Sequence, residues 1–166
     1  MSQVLATELP QDAFLTNYES REGVYTDCFM TEVPGSVSLE TFVNAFFNTW
    51  LFRIERRILS VFAKKPSSDQ DIANLVSGAS QSMAAWSVET RDEDQLLLEV
   101  ADAGIRTWLM REDRDGGTRL YFGSAILPLA SDHNGAPKMP FVFHALLGFH
   151  KLYARALLYL AKNALR

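Results

Sequence analysis

The chain has 166 residues, 48% of them hydrophobic and 22% charged, with a net charge of −4 at pH 7. That is enough apolar material for one domain with a sizeable core. The mild acidity argues against nucleic acid as the main partner, because phosphate recognition needs a concentrated positive field. A single cysteine, Cys28, excludes an internal disulfide framework and a cysteine-based zinc site.

The start, MSQVLATELPQDAFL, lacks the basic head and apolar run of a secretory signal, so a cytoplasmic protein is expected. Residues 1–22 are polar and mixed and are expected to form an irregular or weakly paired N-terminal segment of a single domain spanning 1–166. VYTDCFMTEV, residues 24–33, has the composition of a strand ended by Pro34 and Gly35. Alternation puts Tyr25, Asp27 and Phe29 on one face and Cys28 and Met30 on the other.

Ser38 is placed to cap a helix in which Leu39, Phe42, Val43, Phe46, Phe47, Trp50, Leu51, Ile54 and Ile58 recur at three- and four-residue steps. A break is expected near Asn48-Thr49. Ser67 with Gln70 resembles a capping box for a short helix ending near Gly78, and Asp71 supports the same start. The period then changes to two. Residues 85–91, 95–100, 105–111 and 118–127 read as strands joined by short polar turns, and connections this short make them antiparallel neighbours.

The chain ends in FVFHALLGFHKLYARALLYLAK, residues 141–162. At about 100° per residue, Val142, Leu146, Phe149, His150, Tyr153, Leu157, Leu160 and Ala164 fall on one stripe, expected to face the core. His144, Gly148, Lys151, Arg155, Lys162 and Arg166 lie opposite. Lys151 and Arg155 would each cost about 2.5–3.5 kcal/mol at a bilayer centre, so a transmembrane segment is not expected. His144 and His150 sit about 120° apart, whereas helical metal pairs use a spacing of four. His133 is in a loop, and no metal site is expected. After Asp132 no acidic residue occurs, while Lys138, Lys151, Arg155, Lys162 and Arg166 follow.

The order of elements is strand, helices, four-strand meander, long helix. It implies an α+β fold with helices on one face of an antiparallel sheet. His150, alone among apolar neighbours, has two readings: a hydrogen-bonded core imidazole, or a polar group in an apolar pocket able to orient a ligand or carry a proton. Asp27, between aromatics, is either a structural hydrogen-bonding group or part of a site. Arg106, Trp108 and Met110 share a strand face near Tyr121, which is either the outer surface of the sheet or part of a pocket wall. Cys28 reads as a small buried side chain rather than a nucleophile. No GxGxxG, phosphate loop, GxSxG, HExxH or calcium loop is present, and no cofactor is implied.

YTDCF on the first strand, WSVETRDEDQLLLEV through LYFGSAILP in the meander, and HKLYARALL in the last helix carry a likeness of pattern. On these the chain resembles a bacterial branch of uncharacterised domains in the START/polyketide-cyclase-like (SRPBCC) helix-grip superfamily. The resemblance implies a curved antiparallel sheet gripping a long C-terminal helix around an apolar cavity; the additional helices after the first strand depart from the simplest superfamily pattern. Members bind lipids, sterols or polyketide-like molecules, and some catalyse cyclisation or dehydration. The branch has no agreed reaction, and no catalytic set carries over.

The leading expectation is a binder of a small hydrophobic molecule between sheet and last helix, lined by Phe149, His150, Tyr153 and Leu157. Trp108 and Tyr121 would join only if their sheet face points inward. One alternative is a cyclase or dehydratase using His150 as general acid–base, assisted by Tyr153 or Asp27. Another is an interaction module presenting the basic face of the last helix to an anionic membrane or an acidic protein.

Overall fold

The computed structural model of the chain describes residues 3–63, 68–131, 135, 137–139 and 141–165, and of these the side chains of all but 55, 58–63, 131, 137, 138 and 141–146. His133, Ser67, Arg166 and the side chains of Val142, His144 and Leu146 lie outside the described residues.

The N-terminal segment is weakly paired and carries one short helix. Leu5–Ala6 pair as strand β1 with the edge of β2 (Tyr25–Pro34), and helix α1 (Thr16–Glu19) lies between them in sequence. Helices α2 (Leu39–Phe47), α3 (Trp50–Ala63) and α4 (Asp69–Val76) follow, then β3 (Ser82–Met83), β4 (Trp86–Arg91), β5 (Gln95–Val100), β6 (Ile105–Arg114) and β7 (Gly117–Ile126). A two-residue pairing of β8 (Ala130–Ser131) with β9 (Pro137–Lys138) precedes the long helix α5 (Phe141–Ala164). The result is an α+β fold whose curved seven-stranded antiparallel sheet runs β1-β2-β7-β6-β5-β4-β3. β2 lies along the whole of β7, with Asp27 opposite Ser124 and Phe29 opposite Phe122. That register brings the first long strand beside the last strand of the meander.

Local chemistry accounts for the helix boundaries. Ser38 accepts the Thr41 amide at 3.2 Å and starts α2. Thr49 interrupts the amphipathic run: its hydroxyl donates to the Phe46 carbonyl at 2.9 Å and accepts the Phe52 amide at 3.2 Å, ending one helix and capping the next. The capping box of α4 is one residue later than the Ser67/Gln70 pairing expected from sequence. Ser68 accepts the Asp71 amide, and the short Asp71 carboxylate reaches back to the Ser68 amide at 2.6 Å.

The two sheet faces carry separate clusters. Phe29, Leu96, Leu98, Leu109, Leu120 and Phe122 face α2 and α5, where Phe46 packs its ring 4.8 Å from Phe122 and 5.4 Å from Phe47. Burying each such ring contributes about 1.5–3 kcal/mol, so the layer between sheet and helices is held by aromatic packing. The opposite face, with Cys28, Leu97, Trp108, Met110 and Tyr121, is covered by Ala13, Leu15 and Tyr18 of the N-terminal segment. Gly123 makes that cover possible. A Cβ there would stand 2.8 Å from Leu15 and 3.0 Å from Trp108.

Helix α5 is rotated from its expected pose. Ala154, Leu157, Leu158 and Ala161 are buried, whereas Phe149 is 66% exposed. A pattern weighted by large side chains overlooks Ala154 and Ala161, which let the helix axis come close to its neighbours. Lys162, expected on the outer basic stripe, is buried, with its ammonium 4.9 Å from the Tyr159 ring centre. Among the described residues no helix is long and apolar enough to cross a membrane.

Candidate functional site

Strand alternation and helix phase bring Asp27 and His150 together. Asp27 points from β2 toward α5, and its Oδ2 lies 3.0 Å from His150 Nε2. The Asp27 side chain is only 8% exposed, and that of His150 25%. Its carboxylate is otherwise satisfied: Oδ1 accepts the Ser124 amide at 3.1 Å and Oδ2 accepts the Tyr25 hydroxyl at 3.1 Å. The Tyr25 and His150 rings meet edge to face, 6.1 Å apart. His150 Nε2 is buried and out of hydrogen-bonding alignment despite its short distance to the carboxylate, so this contact is an electrostatic one rather than a directed bond. Two lone pairs facing each other at that distance would repel, which favours a hydrogen on Nε2.

The surroundings push neighbouring acids toward their neutral forms. Burial, then the Asp27 charge and its hydrogen bond, raise the Tyr25 phenol well above its ordinary range. Burial, followed by the charges of Asp27 and Glu19, pushes the Cys28 thiol up to about 12. Cys28 is therefore a buried neutral thiol, not a nucleophile.

A groove of about 460 Å³ opens beside this cluster, between the start of β2 and one flank of α5. Tyr25, Asp27 and Phe29 line it from the strand, and Gly148, Lys151, Leu152 and Arg155 from the helix. Its size falls in the range of small-molecule sites, about 300–1,000 Å³. His150 touches Asp27 from the helix side, and Asp27 is the member of the pair that lines the groove. Gly148 leaves one wall open: a Cβ added there would meet no atom within 4 Å. Glycine in a helix interior costs about 0.8–1.0 kcal/mol relative to alanine, and no close approach at this position calls for it. A second groove, of about 450 Å³, lies between α2 and the end of α5 beside Trp50 and Leu165, without such a charged cluster in its lining.

The other residues singled out from sequence are dispersed. Leu157 is part of the packed layer, and Tyr153 is half-buried and stacks on the exposed Phe149 at 6.1 Å. Trp108 and Tyr121 point to the opposite sheet face and share no wall with His150. Trp108 is fully buried and donates to Gln95 at 2.9 Å, while the Tyr121 hydroxyl donates to Glu112 at 3.0 Å. Arg106 is taken up by Glu89 at 2.5 Å and Glu99 at 3.0 Å, and also donates to the Tyr18 hydroxyl. Burial works against its charge, but Tyr18, Glu89 and Glu99 outweigh it and raise the guanidinium further. That cluster fastens α1 onto the sheet.

Tyr25, Ser124 and Gly148 are not among the site residues expected from the sequence. Tyr25 was legible, two residues from Asp27 on the same face. The Ser124 amide was not, since its role depends on the β2–β7 register. No protein-family model, curated protein or solved structure matches this chain.

Proposed function

We propose that the protein binds a small hydrophobic molecule where β2 meets α5. The observation that carries this reading is the open groove walled by Phe29 and Leu152, with the Asp27–Tyr25–His150 cluster at one side. Apolar burial supplies affinity at roughly 25 cal/mol per Å², and a few fixed polar groups set orientation. The antiparallel sheet packed on a long C-terminal helix is compatible with a helix-grip architecture, and membership of the START/polyketide-cyclase-like superfamily belongs to the same reading. Mass spectrometry of an organic extract, together with displacement of Nile red, tests it. A protein that carries no extractable ligand and gives no competitive displacement does not have this function.

The Asp27–His150 contact favours a second reading, an acid–base enzyme of the cyclase or dehydratase type. In it the carboxylate lining the groove exchanges a proton with the ligand, and His150 compensates the change in charge. Tyr153 stacks on Phe149. Loss of water from a β-hydroxy thioester, followed by mass spectrometry, is the assay. Turnover that persists in both Asp27→Asn and His150→Gln removes this reading.

A further inference from the structure

Most arginines of the described residues are paired, and Arg21 and Arg91 spend their guanidiniums on backbone carbonyls. Arg53, Arg56, Arg106, Arg111, Arg114 and Arg119 each have a carboxylate within ion-pair distance. Among the described residues, neither Lys151 nor Arg155 has such a partner. Both line the groove and lie one turn apart on α5. Arg155 is held with its guanidinium 5.5 Å from the Phe29 ring centre, which keeps it at the groove wall. The carboxylate in the lining, Asp27, forms an ion pair with neither: its oxygens are turned to the Ser124 amide, the Tyr25 hydroxyl and His150. Gly148, on the same helical face as Leu152 and Arg155, keeps the space between the cations and the strand clear.

We propose that the groove takes a single-chain amphiphile with an oxyanion head, a carboxylate or phosphate, held by Lys151 and Arg155 while its chain lies against Phe29 and Leu152. This rests on the hydrophobic-ligand reading and adds the head group to it. Charge-assisted hydrogen bonds from a guanidinium and an ammonium suit such a head, and an uncharged chain would leave both cations unused. Gly148 acts as the aperture of the site: a side chain there would fill it without disturbing the fold.

Displacement of Nile red by dodecanoate, dodecyl phosphate and dodecanol, each below its aggregation concentration, tests the proposal. The wild-type protein is expected to bind the two anions about tenfold or more tightly than the alcohol. Lys151→Gln with Arg155→Gln should abolish that preference while leaving dodecanol binding within about twofold, and Gly148→Leu should weaken all three ligands while raising Tm. Equal affinity for anions and alcohol in the wild type overturns the anionic head and leaves the hydrophobic site standing. Failure of all three to bind overturns both. Co-sedimentation with anionic phosphatidylglycerol vesicles, without preference among the monomeric ligands, assigns the two cations to a membrane surface and also overturns the proposal.

Discussion

His150 Nε2 lies 3.0 Å from Asp27 Oδ2, joining the last helix to the first long strand through a half-buried imidazole–carboxylate contact. The two partners are not equivalent. Asp27 also accepts the Ser124 amide and the Tyr25 hydroxyl, so its removal strands two further donors. Asp27→Ala should therefore cost about 1–3 kcal/mol, the penalty of leaving buried polar groups unsatisfied. His150→Leu leaves Asp27 with both hydrogen bonds and should cost less. Urea denaturation of the two variants checks the order, and a larger loss for His150→Leu would contradict it.

Cys28 gives the fold a pH dependence with a definite sign. Its thiol ionises near 9.0 when unperturbed and near 12 in the fold. Between those values the unfolded chain has released a proton that the native state retains. The stabilisation is thus fully present below pH 9 and is lost as pH rises toward 12, with a slope of up to about 1.4 kcal/mol per pH unit. Denaturation midpoints of the wild type and Cys28→Ala, measured from pH 8 to 11, should converge as pH rises. Tyr25, whose phenol is also raised, is common to both proteins and drops out of the comparison. Parallel curves would show that Cys28 is not buried as described.

The N-terminal segment is fastened by Tyr18, whose hydroxyl donates to Glu89 at 2.6 Å and accepts from Arg106 at 2.8 Å. Burial, then the bond to Glu89, raise its phenol, while Arg106 opposes them. Tyr18→Phe keeps the ring against Leu15 and the sheet but removes the hydroxyl, and should cost about 1–2 kcal/mol. Hydrogen exchange should speed up in residues 13–19 while the β6–β7 amides stay protected. Uniform acceleration across the chain would show that the segment does not open on its own.

Much of the architecture could be read from local pattern. The two-residue period of the meander, the Ser38 cap and the Thr49 break depend on neighbours within a few positions, and each is present. The pairing of β2 with β7 depends on residues far apart in sequence, and so did the covering of Trp108 and Tyr121 by the N-terminal segment. Helix α5 was misphased because it is apolar on much of its circumference: Phe149 and Leu152 are exposed while two alanines are buried. His150 and Asp27 were each conspicuous as polar groups among apolar neighbours, but their contact depended on the tertiary fold. Gly148 is itself a local signal of the groove, a helix-weakening residue inside a strong helix.

In the proposed function the groove between β2 and α5 is the binding site. The most direct measurement is amide chemical-shift mapping of the protein titrated with dodecanoate below its aggregation concentration. Saturable shifts are expected at Asp27, Phe29, Gly148, Lys151, Leu152 and Arg155, the strand and helix walls of one groove. Shifts centred on Asn48, Trp50 and Leu165 at the other groove, or no saturable shifts at all, would contradict it.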